Sequence, residues 1–195
     1  MIPYHREQIP HDIFVDTIGA EIGVLNGEFA EVLIAKKPKH LTLIDAWATQ
    51  PRTDNCTSAQ QNVHDDRYEA VKKKFSQYDN VEVIKSYSHE AARLFEDHTF
   101  DWVYIDALHN YKSVTQDLTA WAPKIKPTGW IWGHDYRTKD FKPKADVQVR
   151  EAVHDFCKHN DWQFVDYTSE TPDLKKPKSY FITQDPNTAQ RIKSL

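Results

Sequence analysis

At positions 21–27 the chain reads Glu-Ile-Gly-Val-Leu-Asn-Gly, and this stretch joins a predicted strand to a predicted helix. Gly23 permits a tight turn and a close approach of the backbone to a ligand, and Gly27 lets the next helix begin against that ligand. A helix N-terminus at this place presents unpaired N–H groups and the positive end of a dipole. The segment therefore predicts a nucleotide-type binding loop, although the third glycine of the dinucleotide fingerprint is absent.

Around this loop, short apolar runs alternate with amphipathic stretches along the chain. This alternation predicts a parallel sheet with helices on both faces, an α/β fold. The predicted strands are 18–24, 41–44, 81–84, 102–105, 130–132, 162–165 and 179–183. The predicted helices are 28–37, 66–78, 88–96 with Ser88 as its cap, 111–121 and 148–159, and residues 126–129 are predicted to form a turn. Polar loops are expected at 46–63 and 137–146. The chain has 195 residues and shows no linker, so a single domain over residues 1–195 is expected.

The composition argues against nucleic acid and membrane partners. The net charge is −4, and the lysines at 72–74 form one of the two longest basic runs, so no basic face for phosphates is indicated. No apolar run approaches the roughly 20 residues of a membrane helix, and the N-terminal residues lack an apolar signal segment. We therefore expect a cytoplasmic protein.

Asp45 changes the interpretation of the binding loop. It ends the second predicted strand, where a carboxylate accepts hydrogen bonds from the ribose hydroxyls of an adenosine cofactor. Trp47 follows, and we expect it either to cover the adenine or to anchor the adjoining loop. NAD also uses an acidic residue here, but Glu21 at the end of the first strand would repel a pyrophosphate. Because Glu21 suits a sulfonium and an amino group, S-adenosylmethionine is the favoured cofactor.

Residues 100–111 read Phe-Asp-Trp-Val-Tyr-Ile-Asp-Ala-Leu-His-Asn-Tyr and carry the chemistry. A buried strand delivers Asp106 to its carboxyl end, and His109 follows one turn later. The next strand delivers His134 and Asp135 to the same edge of the sheet. Such groups repel one another unless something organises them, so a divalent cation is predicted among these four residues, with Mg²⁺ or Mn²⁺ favoured. The other interpretation is that His134 and Asp135 brace a loop.

His109 is expected to be a general base or a metal ligand, because an imidazole accepts protons near neutral pH and His109 follows Asp106 by three residues. Asp106 is assigned to the catalytic set as well as to the metal site. His64, His89 and His154 have no comparable context in the sequence and are left as structural residues.

Six motifs occur along the chain in a fixed order. They are the binding loop at 21–27, Ile-Asp-Ala-Trp at 44–47, Tyr-Ile-Asp-Ala-x-His-x-Tyr at 104–111, Asp117-Leu118 through Trp121, the Pro-x-Gly turn at 127–129 and Gly-His-Asp-Tyr at 133–136. Together they resemble the motifs of class I S-adenosylmethionine-dependent methyltransferases. The group with the greatest resemblance contains the macrolide-sugar and aminocoumarin-sugar O-methyltransferases, over residues 18–160. The resemblance implies a Rossmann-like seven-stranded sheet with the last strand antiparallel. It implies metal-assisted methylation of a hydroxyl, and it assigns cofactor binding to Glu21, Gly23, Gly27 and Asp45. It also implies that Asp106, His134 and Asp135 hold the cation and that His109 is the base. His134 departs from the family's usual carboxylate.

The acceptor is expected to be a sugar or glycan, because the predicted loops are rich in polar and aromatic residues. A catechol would bind a cation in the same way and is the first alternative. A second is a non-haem iron oxygenase, in which His109, His134 and one carboxylate form the metal triad. A metal-independent methyltransferase and a non-catalytic glycan-binding domain complete the alternatives. The chain is expected to act as a module of a larger glycan-modifying protein or as a homo-oligomer.

Overall fold

The structure is a computed structural model, which describes residues 10–49, 59–136, 147–165 and 178–194. Its strands are β1 (Ile18–Ile22), β2 (His40–Asp45), β3 (Val81–Lys85), β4 (Phe100–Ile105), β5 (Ile125–Tyr136), β6 (Gln163–Val165) and β7 (Lys178–Thr183). They form one sheet in the order β3-β2-β1-β4-β5-β7-β6. The first five strands pair in parallel, and β7 runs antiparallel to both β5 and β6. The predicted seven-stranded sheet with an antiparallel last strand is confirmed.

Helices cover both faces of this sheet, as predicted. They are α1 (Glu28–Ala35), α2 (Gln61–Phe75), α3 (Ser88–Ala91), α4 (Tyr111–Trp121), α5 (Val149–His159) and α6 (Pro186–Lys193). Apolar residues of α1, α2 and α6 pack on one face, and those of α3, α4 and α5 pack on the other. The central strands are buried from both sides, which explains why they appear in the sequence as continuous apolar runs.

An aromatic layer fixes β4 and β5, the strands whose carboxyl ends carry the predicted chemistry. The ring of Trp132 lies 4.4 Å from that of Tyr104 and stacks on Phe181 at 5.4 Å, measured between centroids. Trp102 lies across Gly19 of β1, where a Cβ atom would come within 2.1 Å of the indole. Glycine is therefore required at position 19 for this packing.

Two local predictions are wrong. Residues 126–129 lie within β5 and do not end it in a turn. Ile125 pairs with Phe100 of β4 and Trp130 with Trp102, so residues 126–129 bulge out of the ladder opposite Asp101, whose carboxylate contacts Lys126 at 2.8 Å. Ser88 is not a helix cap: Tyr87 precedes α3, and the Ser88 hydroxyl accepts a hydrogen bond from the Trp121 indole at 2.9 Å.

Several element ends also differ from the predictions. Helix α2 begins at Gln61, five residues before its predicted start, and α3 ends at Ala91, where a short 3₁₀ turn follows. Helix α6 was not predicted, although Asp185 caps it and Pro186 begins it. Within the described ranges, none of the helices has the length and apolarity needed to cross a bilayer. The predicted loop at 137–146 lies outside the described residues, as do residues 50–58 of the loop predicted at 46–63.

Candidate functional site

A cavity of about 440 Å³ lies at the carboxyl ends of β1, β2 and β4. This volume falls within the roughly 300–1,000 Å³ of small-molecule sites. Five of the predicted site residues line it, namely Glu21, Gly23, Asp45, Asp106 and His109. The parallel sheet brings them together because the ends of β1, β2 and β4 lie side by side at one edge.

The lining is acidic. Besides the three predicted carboxylates, Glu28 contributes to the wall, and no lysine or arginine of the described ranges does so. Glu21 is only 1% exposed, so its carboxylate acts on the cavity through little intervening water. A wall of this charge favours a cationic ligand and opposes a pyrophosphate.

Asp45 organises the binding loop through its carboxylate. One oxygen, Oδ2, accepts hydrogen bonds from the backbone N–H groups of Val24 and Leu25, both at 2.9 Å. The other, Oδ1, accepts one from the N–H of Trp47 at 2.8 Å. A carboxylate has about four lone-pair sites, so Asp45 retains acceptor capacity toward the cavity that it lines.

Trp47 lies behind this loop. It is 1% exposed, its indole N–H donates to the carbonyl of Leu25 at 2.8 Å, and its ring contacts Tyr68. Ala46 and Ala48 line the cavity instead of Trp47. Of the two roles expected for Trp47, this position corresponds to anchoring the loop. The expectation that its ring covers the adenine does not agree with its buried position behind the loop.

Gly23 and Gly27 adopt positive φ angles of 92° and 76°, which disfavour any residue with a side chain. A Cβ atom at Gly23 would lie 2.2 Å from the carbonyl oxygen of Asp106, a backbone atom. At Gly27 the nearest atom is a ring carbon of Phe75 at 2.9 Å, which belongs to a side chain and not to the backbone. Gly23 therefore keeps β1 in close contact with the segment that follows β4.

We expect Gly23→Ala to be more damaging than Gly27→Ala. Both substitutions impose an unfavourable φ, but only the first places a methyl group against backbone that cannot move without disturbing Asp106. Thermal unfolding of the two purified variants checks this, with a loss of several degrees for Gly23→Ala and a smaller one for Gly27→Ala. Equal losses would mean that the contact with the Asp106 backbone is unimportant.

The predicted metal ligands converge at the ends of β4 and β5. These strands are neighbours, and Asp106, His134 and Asp135 each present a ligand atom within 4.8 Å of the other two. Opposite ligands of an octahedral Mg²⁺ or Mn²⁺ ion lie about 4.0–4.4 Å apart, so small side-chain rotations would complete such a site. These residues thus fit a divalent cation in both donor chemistry and spacing.

His109 lies between the two carboxylates of this cluster. Its Nε2 is 3.4 Å from Asp106 Oδ1 and 3.4 Å from Asp135 Oδ2. The loop that carries His109 is fixed by Gln148, whose N–H donates to the His109 carbonyl at 2.8 Å. Asp135 itself has a φ of 54°, an uncommon conformation for a residue other than glycine, and such residues concentrate at functional sites.

Several residues of the site are not identified as functional by the sequence. Among them, His64, His89, Ser88 and Asp117 line the cavity. Asp117 is 5% exposed, and burial raises the pKa of its carboxyl to about 7, against a lowering effect of the Ser88 hydroxyl. A signal was available for His64, because it continues the apolar face of α2.

Asp117 makes the stability of the fold depend on pH. Between pH 4 and 7 the buried carboxyl keeps a proton that the unfolded chain has lost, so its contribution to stability falls as the pH rises through this window. We expect Asp117→Asn to remove this fall. Thermal midpoints of both proteins at pH 5 and pH 8 test it, and an identical pH dependence in the variant would contradict the assignment.

The sheet order, the antiparallel last strand and the binding loop after β1 together define the Rossmann-like fold of class I S-adenosylmethionine-dependent methyltransferases. A family model described as a methyltransferase domain matches residues 20–136, more than half of the chain. The chain belongs to this methyltransferase family. No curated protein matches it.

Solved structures agree on the fold. A SAM-dependent methyltransferase from Aquifex aeolicus shares 13% identity, with a TM-score of 0.60 over 88% of this chain and 84% of that one. The N-methyltransferase NodS from Bradyrhizobium japonicum shares 15% identity, with a TM-score of 0.58 over 88% and 87%. Fibrillarin from Aeropyrum pernix, in complex with S-adenosyl-L-methionine, shares 10%, with a TM-score of 0.62 over 88% and 68%.

Proposed function

We propose that this methyltransferase transfers a methyl group from S-adenosylmethionine to a hydroxyl of a sugar or glycan, with the assistance of a divalent cation. The observation that carries the proposal is the cluster at the ends of β4 and β5. There His109 Nε2 lies 3.4 Å from the carboxylates of Asp106 and Asp135, and His134 completes three ligand positions. Transfer to oxygen requires removal of a proton from a weak acid, and this cluster contains both a base and a cation site.

The acidic cavity supports S-adenosylmethionine as the methyl donor. Glu21 and Asp106 stand where the cationic sulfonium and amino groups would be attracted, and Asp45 offers its remaining acceptor capacity to the ribose. When bound, this cofactor supplies an electrophilic methyl group. The acceptor oxygen forms the new O–C bond as the C–S bond breaks, the hydroxyl proton passes to His109, and S-adenosylhomocysteine is left.

Asp45→Ala should weaken the binding of S-adenosylmethionine about 10–100-fold, because hydrogen bonds to a charged group are worth about 1.5–3 kcal/mol. The variant loses the ribose contact and the three backbone contacts that shape the loop. Titration calorimetry measures the effect. Asp45→Asn, which keeps one carbonyl oxygen, serves as the matched variant and should lie between the two. Unchanged affinity in Asp45→Ala would remove the ribose contact from the proposal.

His109 suits the role of general base on geometric grounds. A proton accepted at Nε2 is stabilised by the Asp106 and Asp135 oxygens on either side of it. Asp106, His134 and Asp135 would hold the cation. When bound, that cation supplies a Lewis acid, which lowers the pKa of a coordinated hydroxyl. A sugar with two neighbouring hydroxyls can use both of them as ligands, and so can a catechol, which remains the first alternative acceptor.

The test is methyl transfer from isotopically labelled S-adenosylmethionine to a panel of glycans, catechols and amines. The enzyme is first treated with EDTA and then assayed alone, with Mg²⁺ and with Mn²⁺. The proposal predicts labelled glycan only in the presence of a cation. If only catechols are labelled, the acceptor is a catechol and not a glycan. Equal turnover after EDTA treatment without added cation would contradict the role of the cation. Transfer only to nitrogen acceptors would refute O-methylation.

A further inference from the structure

Strand β5 contains a second bulge, at the two residues that it contributes to the cation cluster. The antiparallel pairing of β5 with β7 shifts by one residue between Gly133 and Tyr136. His134 and Asp135 therefore lie opposite a single residue of β7, Ser179, which is the geometry of a β-bulge. Bulges are frequent next to active sites, where they redirect side chains.

This bulge allows two consecutive residues to serve one site. In a regular strand, successive side chains point to opposite faces of the sheet. Here the ligand atoms of His134 and Asp135 both lie within 4.8 Å of that of Asp106, and His134 Nδ1 is 3.5 Å from Asp135 Oδ2. Asp135 has a φ of 54°, an unfavourable conformation that persists only where the surrounding structure holds it. The contacts that hold the bulge therefore determine whether the cation ligands converge.

Tyr136 ends the bulge and is held by two elements, α5 and β6, that carry none of the predicted site residues. It is 8% exposed, and its hydroxyl shares a hydrogen bond of 2.8 Å with Nε2 of His154 on α5. Its ring stacks on Phe164 of β6 at 5.2 Å, and the imidazole of His154 lies 4.6 Å from the same ring, measured between centroids. A hydrogen bond is directional, so this one fixes the place of the Tyr136 ring, which is attached to the backbone next to Asp135.

We propose that His154 is a positioning residue for the cation site. Through its hydrogen bond with Tyr136 it holds the bulge at residues 134–135 in the conformation that directs both side chains toward Asp106. This inference rests on the proposed function, because it requires a cation held by the cluster. Residues behind the ligands of a metal commonly set its affinity by orienting those ligands, and His154 does so here through the backbone of β5.

Titration of the cofactor-free protein with Mn²⁺, followed by the electron paramagnetic resonance of the free ion, tests the inference. Tyr136→Phe removes the hydroxyl and keeps the ring, and we expect it to weaken Mn²⁺ binding about tenfold. His154→Leu should have the same effect. His154→Gln, whose amide can still form a hydrogen bond, should retain more of the affinity than His154→Leu.

Tyr180→Phe is the matched control. Tyr180 packs against Tyr136, with 6.3 Å between the ring centroids, but its buried hydroxyl has no hydrogen-bond partner among the described residues. The control removes the same atom from the same aromatic cluster, and it should bind Mn²⁺ as tightly as the wild type. A loss as large as that of Tyr136→Phe would assign the effect to general packing and overturn the inference.

Calorimetric binding of S-adenosylhomocysteine separates positioning of the cation ligands from a general role in the fold. The cofactor contacts proposed for Glu21 and Asp45 lie at the ends of β1 and β2, away from the bulge. Tyr136→Phe and His154→Leu should therefore leave this affinity unchanged. Equal weakening of Mn²⁺ and S-adenosylhomocysteine binding would show a general structural role and contradict the inference.

The wild-type protein distinguishes the two levels of the proposal. If it binds no Mn²⁺, the proposed cation fails and the positioning role of His154 fails with it. If it binds Mn²⁺ and both Tyr136→Phe and His154→Leu bind the ion equally well, the cation site stands and only the inference about His154 is overturned.

Discussion

His109→Ala should lower kcat by a factor of about 10²–10⁴ while leaving the affinity for S-adenosylmethionine nearly unchanged. This is the range that a positioned general base contributes. The imidazole faces the carboxylates of Asp106 and Asp135 at 3.4 Å, so removing it takes away the proton acceptor and leaves the binding loop after β1 intact. Steady-state kinetics with calorimetry of cofactor binding provide the two readouts.

Two further measurements separate catalysis from disturbance of the site. Added imidazole should restore part of the turnover of His109→Ala, since a small base can occupy the space of the lost ring. His40→Ala, at the start of β2 and partly exposed, should retain wild-type turnover. Full activity of His109→Ala, or a loss of cofactor affinity as large as the loss of kcat, would contradict the assignment of His109 as the base.

The second large effect is expected for Asp106→Asn combined with Asp135→Asn. An amide is a weaker ligand for a hard cation than a carboxylate is. The double substitution also removes both negative charges that would compensate the charge of the cation. We expect stimulation by Mg²⁺ or Mn²⁺ to disappear and residual turnover to fall at least 10³-fold, since the cation and the stabilised base are lost together. Turnover measured across a series of cation concentrations reports the loss.

Asp101→Asn combined with Asp97→Asn is the matched control. These carboxylates pair with Lys126 and Lys124 and do not line the cavity. The control should keep its response to cations, although its stability will fall slightly. If Asp106→Asn with Asp135→Asn still responds to the cation, the ion is held elsewhere and the cluster is a structural one.

The sheet could be predicted because its strands are buried on both faces and read as apolar runs. The convergence of Asp106, His109, His134 and Asp135 could be predicted for a related reason, since parallel neighbouring strands end at the same edge. The length of β5 could not. Residues 126–129 carry a strong local turn signal, but in the structure they form a bulge within β5, between the pairs Ile125–Phe100 and Trp130–Trp102.

The positions of individual side chains were harder to predict. The place of Trp47 depends on a carbonyl oxygen of Leu25 that its indole reaches, a contact 22 residues away in the sequence. Ser88 is of a residue type that often caps helices, yet its hydroxyl accepts a hydrogen bond from the indole of Trp121 on α4. The sequence does not place His64 at the cavity, because this depends on how α2 packs against the sheet.

The central claim is that the acidic cavity after β1 binds S-adenosylmethionine, and calorimetric titration of the wild-type protein tests it most directly. S-adenosylmethionine and 2-oxoglutarate are titrated separately, in buffer containing the divalent cation. The account predicts one molecule of S-adenosylmethionine bound per chain and no heat of binding for 2-oxoglutarate. Binding of 2-oxoglutarate with none of S-adenosylmethionine would contradict it and favour an iron oxygenase built on His109, His134 and a carboxylate.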